Sequence, residues 1–283
     1  MPATDKSQSR IRRDEPLCDQ YKTFNQLSYT KEHCRQWMAD FDELMKVTRD
    51  AAPARSRIRR HDDPYRLQRH GNHKINNKNR ERLLEQALWV QWGAEGCRRA
   101  KRWFLPEHCK RVCAFQVPLQ DRRKDRGWGK VDILAISGDD LPAVGELKKE
   151  NGGTPLLMLA QAFCYALAIQ KAWGKGALKD EWADKVVDGH SNKLPDHIDQ
   201  LSIFCVAPER YWNTRIGVAR RRTAGQVFPE AWGAFSELVA MCGAKGFPVS
   251  FVTFDVDEPN DALPQINNPR ERPIPKCPHD LPV

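Results

Sequence analysis

Three ionisable residues, Asp132, Glu146 and Lys148, lie in stretches whose apolar pattern gives no packing reason for them. Asp132 sits inside Lys130-Val-Asp-Ile-Leu-Ala-Ile-Ser137, a β-branched, apolar run that predicts a central strand. Gly138-Asp139-Asp140 follows; these residues tolerate positive φ and hydrogen-bond their own backbone, so the chain is expected to reverse into a second strand from Leu141 to Lys149. Alternation along that strand puts Val144, Glu146 and Lys148 on one side. An acid and an amine two residues apart, facing a second acid on the adjacent strand, suit metal-assisted hydrolysis. The carboxylates offer hard oxygen ligands for Mg²⁺, the ion lowers the pKa of a bound water, and the ammonium orients that water or helps deprotonate it. The plainer reading is a strand-edge salt bridge, which is the usual role of a Glu-x-Lys on a half-exposed strand.

The flanking elements must position these groups. Thr154 suits a helix N-cap and Pro155 a first helical residue, and Leu156 to Ile169 is nearly all apolar, which predicts a helix buried against the sheet. Gln161 is the one amide in that run, and Tyr165 lies one turn further along the same face. On the helix alone they read as a hydrogen-bonded core amide and a packed ring. Upstream, Asn79 to Gly93 predicts an amphipathic helix with Leu83, Leu84, Ala87, Leu88 and Val90 toward a core. Glu81 and Glu85 share one of its faces. Glu85, wedged between Leu84 and Leu88, is expected to point at the sheet, against the alternative of a surface carboxylate balancing Arg80 or Arg82.

This arrangement resembles the PD-(D/E)xK nuclease superfamily, whose signature is an acid on one strand followed by (D/E)-x-K on the next. Asp132 and Glu146-Leu147-Lys148 hold those positions, with Val131 replacing the proline. Gln161-Ala-Phe-Cys-Tyr165 fits the Gln-x-x-x-Tyr motif of RecB-type and λ-exonuclease-like members. By element order the resemblance covers residues 76 to 255. It implies an α/β fold with a restriction-endonuclease-like core of order αβββαβ, a mixed central sheet flanked by helices. It also implies Mg²⁺, with Mn²⁺ as a substitute, held by Asp132, Glu146 and the backbone carbonyl of Leu147, while Lys148 serves the attacking water. The helix before the first strand often supplies a further carboxylate in this superfamily, here Glu85 in preference to Glu81. Gln161 and Tyr165 would hold the DNA strand or the active-site lysine. The implied reaction is hydrolysis of DNA phosphodiester bonds, in phage defence, recombination or repair. RNA stays open as a substrate, because nothing in the sequence reads a 2′-hydroxyl. The competing class is a non-catalytic nucleic-acid-binding or interaction subunit that keeps the fold.

Composition sets the outer bounds. A chain of 283 residues with 40% hydrophobic and 29% charged residues can bury one substantial core. The longest apolar run, Leu156 to Ile169, is shorter than a membrane span, and the N-terminus lacks a secretory h-region, so a cytoplasmic protein without membrane contact is expected. The net charge of +9 suits a polyanionic partner. Nine Lys or Arg against Asp62 and Asp63 fall between Pro53 and Arg80, with smaller clusters at 98–102, 122–124 and 220–222. Nine cysteines, an odd number at irregular spacing with no Cys-x-x-Cys, argue against a disulfide framework and against a zinc site at Cys97, His108, Cys109 and Cys113.

In domain terms, residues 1–75 are expected to be an N-terminal arm and basic segment. This segment is unpatterned to about residue 28 and then helical from Tyr29 to Arg49. From Ala51 to Asn77 it either wraps nucleic acid or serves as a linker. Residues 76–258 form the nuclease-like domain, with strands at Arg111 to Leu119, Gln200 to Pro208 and Phe247 to Val256 and a helix at Phe228 to Met241. Residues 259–283 are a Pro-rich tail.

Overall fold

Every residue of Lys130–Ser137 after Lys130 is buried, as a β-branched run covered on both faces requires. A computed structural model describes residues 11–24, 31–53, 80–93, 109–119, 128–185, 194–215, 229–257 and 264–271. Its strands are β1 (Cys109–Pro118), β2 (Lys130–Ser137), β3 (Pro142–Leu147), β4 (Ile203–Pro208), β5 (Val249–Asp257) and β6 (Gln265–Glu271), hydrogen-bonded in that order. β1, β2 and β3 form an antiparallel meander, β3, β4 and β5 run parallel, and β6 returns antiparallel. The helices are α1 (Leu17–Phe24), α2 (Lys31–Ala39), α3 (Phe41–Ala51), α4 (Arg80–Trp92), α5 (Pro155–Gly174), α6 (Ala177–Lys185), α7 (Glu209–Arg215) and α8 (Pro229–Ala244). The chain is therefore an α/β protein, a mixed six-stranded sheet flanked by helices.

Alternation along the strands divides the core into two layers. Leu134, Ile136, Val144, Ile203 and Cys205 pack with α5 and the N-terminal helices. Ile133, Ala135, Leu147, Phe204 and Val206 pack with Leu84, Ala87, Leu88 and Trp92 of α4. Helix α4 touches both β1 and β6, so the sheet curls around it.

Helix α5 begins as its sequence dictates, with the Leu157 N–H donating to Thr154 Oγ1 at 3.2 Å and Pro155 in the first turn. It continues past Ile169 to Gly174. Among the described residues it is the one helix long and apolar enough to cross a membrane, but 83% of its most apolar window is buried inside the protein. Its Phe163 meets Trp37, Phe41 and Phe247 edge to face at 5.7, 5.5 and 4.9 Å, which ties the N-terminal helices and the β5 entry to the sheet.

Three expectations are corrected. The helix expected from Tyr29 to Arg49 is two helices parted at Asp40 (φ −107°, ψ 18°), a residue type that competes with helical backbone bonding. The N-terminal stretch expected to be unpatterned contains α1, whose Leu17 and Cys18 are buried and whose Leu17 N–H donates to Thr48 Oγ1 at 2.9 Å. Eight residues give too few turns for a periodic signal. The Pro-rich tail contains β6, so the expected boundary at 258 falls between two paired strands. Gln91 of α4 secures that strand, accepting from Ile266 N–H at 2.9 Å and donating to the Pro264 carbonyl at 3.0 Å. The basic stretch from residue 54 to 79, the three smaller basic clusters, Cys97 and His108 lie outside the described residues.

Candidate functional site

The β2–β3 register pairs Leu134 with Val144 and Ile133 with Gly145, and one step further sets Asp132 across from Glu146. Gly145 permits this close approach, since a Cβ there would fall 2.9 Å from that of Ile133. The Leu147 N–H donates to Asp132 Oδ2 at 3.1 Å and fixes the carboxylate against the neighbouring strand. On its other side β3 pairs with β4, Glu146 opposite Cys205, which leaves Glu146 1% exposed. Lys148 follows the last residue of β3 but stays in line, its N–H donating to the Val206 carbonyl at 3.0 Å. Its ammonium donates to Glu146 Oε1. The backbone at Gly152 presses on this lysine: a Cβ there would lie 3.0 Å from Lys148 Cβ and 3.2 Å from its Cδ.

Helix α4 brings further acids. Leu84 and Leu88 anchor it to the sheet, and carboxylate oxygens of Glu81, Glu85 and Asp132 all lie within 4.8 Å of one another. Both glutamates singled out on this helix thus reach the strand acid, Glu85 fully buried and Glu81 partly open to solvent. A residue that sequence reasoning missed stands between them. The Gln116 amide in β1 donates to Glu85 Oε1 at 2.9 Å and to Asp132 Oδ1 at 3.3 Å. Its backbone is left-handed, φ 53°. The available signal was a lone amide in the apolar run Val-Cys-Ala-Phe-Gln-Val-Pro, the same kind of anomaly that marks Gln161.

The acids crowd one another in a dry environment. Burial, with Asp132 and Glu81 alongside, pushes the Glu85 carboxyl up to about 9. Burial raises Asp132 against the pull of Lys148 and the Leu147 N–H. Glu146 is driven well above the usual range, first by burial and then by Asp132, with Lys148 opposing. Glu81 is raised by burial, an effect that Lys148 moderates. For Lys148, burial acts to lower the value, but Glu146, Asp132 and Glu81 outweigh it, and the side chain is held as an ammonium. Burial thus raises all four acids while Lys148 stays an ammonium, an arrangement that an added cation would relieve.

Orphaned oxygens point the same way. Glu85 Oε2 and Glu146 Oε2 are buried with no hydrogen-bond partner. Glu81, Glu85 and Asp132 form an all-oxygen donor set of the kind that hard divalent ions take. Glu146, expected to bind metal beside Asp132, has Oε1 on Lys148 and keeps Oε2 without a donor. Leu147, expected through its carbonyl, meets Asp132 through its N–H.

On α5, Tyr165 is buried with its hydroxyl 3.4 Å from where a Cβ on Gly129 would stand, under the turn that enters β2. Gln161 is half-buried, and its Oε1 is sealed without a partner. A cleft of about 560 Å³ is lined by Arg80, Glu150, Asn151, Arg210 and Asp255 among others, and none of the five centre residues lines it. Arg80 precedes Glu81 in the chain and bridges Glu150, two residues after Lys148, at 3.0 Å.

Fold and site together define an α/β protein whose mixed sheet carries a buried carboxylate and lysine centre at the β2–β3 pair, with acids from α4 beside it. Comparison with protein-family models, with curated proteins and with solved structures finds no match to this chain.

Proposed function

We propose that this protein is a Mg²⁺-dependent deoxyribonuclease built on a restriction-endonuclease-like core, with Mn²⁺ able to replace Mg²⁺. The observation that carries the reading is the convergence of Asp132, Glu146 and Lys148 from adjoining strands, with Glu85 and Glu81 arriving from the helix before them. The element order α4, β1, β2, β3, α5, β4 is that of an αβββαβ core, which supports the same reading.

Glu81, Glu85 and Asp132 would hold the ion, with Glu146 Oε2 as a further oxygen on the Lys148 side. The ion would lower the pKa of a bound water and offset charge on the phosphate oxygens. Lys148, kept as an ammonium by its acid neighbours, donates hydrogen bonds and so orients the water or a phosphate oxygen instead of abstracting a proton. Gln161 and Tyr165 would hold the DNA strand or the active-site lysine, Gln161 Oε1 being a buried acceptor without a donor. The cleft lined by Arg80, Glu150 and Arg210, residues close in sequence to Glu81 and Lys148 or basic, would admit a phosphodiester backbone, and the net charge of +9 draws a polyanion toward the protein.

The test is to incubate purified protein with linear DNA, circular DNA and RNA in Mg²⁺, Mn²⁺ or EDTA. Cleavage of DNA that needs metal, and that drops about a hundredfold or more in folded Lys148→Ala protein, supports the assignment. Absence of any cleavage contradicts it, and salt-sensitive DNA binding without cleavage would make the protein a nucleic-acid-binding subunit. Cleavage confined to RNA would change the substrate.

A further inference from the structure

The register of β1 against β2 slips between Val112 and Ala114 but is kept across Gln116, with Phe115 opposite Ile133 and Val117 opposite Val131. The left-handed backbone between those pairs is confined to Gln116. Glutamine gains nothing from such a conformation, which other residue types adopt more readily, and a local strain of this kind persists where the surroundings impose it. What Gln116 gains is a side chain that spans two acids. Its NH₂ group carries two hydrogens, one directed to Glu85 Oε1 and the other to Asp132 Oδ1.

The remaining oxygens fall into a pattern. Asp132 Oδ2 is taken by the Leu147 N–H, and Glu85 Oε2 has no donor at all. Two carboxylates this close repel one another, and α4 and β2 are joined here by nothing covalent. A single amide bonded to both holds them at a fixed separation and leaves one buried oxygen unpaired.

We infer that Gln116 is a positioning residue that sets the spacing of Glu85 and Asp132 for a divalent cation. This rests on the metal-binding reading of the acids given above and adds to it a residue that no sequence motif assigns. Gln116 acts through the ligands it holds. Outer-shell partners of this kind are worth about 10- to 100-fold in metal affinity.

The test is a calorimetric titration of the full chain with Mn²⁺, comparing wild type with Gln116→Asn and Gln116→Met. Asparagine accepts the left-handed backbone and keeps an amide but is one methylene too short to span the pair; methionine has the length but no donor. Both are expected to weaken Mn²⁺ binding about 10- to 100-fold while circular dichroism in EDTA still reports the native fold. Should either variant fail to fold, Gln116→Gly, which takes the left-handed backbone without strain and removes the amide, is expected to show the same loss. Unchanged Mn²⁺ affinity in the folded variants, with only the melting temperature altered, would reduce Gln116 to a structural residue and overturn the inference. Wild-type protein that binds no Mn²⁺ would overturn the metal reading itself, a result distinct from equal binding by wild type and variants.

Discussion

Asp132 faces Glu146 across the β2–β3 pair and also accepts the N–H of Leu147, the residue between Glu146 and Lys148. The side chain of one strand is thereby locked to the backbone of the other at the point where the acid and the amine must meet. Neither carboxylate can be understood alone, because Asp132 raises the cost of ionising Glu146 while a hydrogen bond from Glu146 favours the ionised form of Asp132.

Lys148 is the counter-ion that makes this burial tolerable. Lys148→Met leaves Glu146 buried without a partner, and breaking such a pair costs up to about 3–5 kcal/mol when the remaining charge cannot be neutralised. Glu146 takes up a proton in its place at low pH, so the loss in urea-denaturation stability is expected to grow as pH rises. A cost that is small and flat with pH would count against the pairing.

The metal-free protein is expected to lose stability as pH rises. The folded-state pKa of Glu85, about 9, lies above that of an unfolded glutamate, so its contribution is fully present below about 4.3 and is lost as pH climbs through 9. Thermal melts in EDTA should fall across that window, and Glu85→Gln should flatten the dependence. Millimolar Mg²⁺ should offset the fall, with protons released on binding. Melting temperatures in EDTA that rise with pH between those limits would contradict the description of the site.

Gly152 tests how tightly Lys148 is placed. A methyl group there would press on Lys148 Cβ and Cδ at 3.0 and 3.2 Å and on the Lys149 carbonyl at 3.1 Å, so Gly152→Ala should shift this backbone and displace the ammonium. DNA cleavage by the folded variant is expected to drop about tenfold or more, since small misplacements of a catalytic group are costly. Full activity in this variant would mean that the lysine can relax without consequence.

The sixth strand carries its own prediction. Gln91→Ala removes the partner of both the Ile266 N–H and the Pro264 carbonyl, at a cost of about 1–3 kcal/mol for each buried group left unpaired. Ending the chain after Asp257 removes β6 and is expected to destabilise the protein further, with equilibrium urea unfolding as the readout. A truncated protein as stable as the full chain would make β6 an appendage.

The parts of the fold legible in the sequence were those in which one local signal sufficed. The β-branched run of β2, the Gly-Asp-Asp turn with Asp140 at φ 62°, and the Thr-Pro start of a wholly apolar helix each specify their element within a few residues. What stayed hidden depends on partners distant in the chain. Helix α1 is defined by Thr48 and by packing on α5, and β6 by the side chain of Gln91 and by pairing with β5. The site divides in the same way. Asp132, Glu146 and Lys148 stand out because charge interrupts an apolar pattern, and Glu81 and Glu85 because a helix face can be counted. Gln116 looks like an ordinary strand residue until its backbone conformation and its two acceptors are seen together.

The most direct test is anomalous diffraction from crystals of the protein grown with Mn²⁺. A single strong peak, or a close pair, is expected within coordination distance of Asp132 and Glu85, with Glu81 or Glu146 completing the shell and Lys148 beside it. A fully ordered Asp132 and Glu85 with no peak between them, or Mn²⁺ bound only elsewhere on the protein, would contradict it.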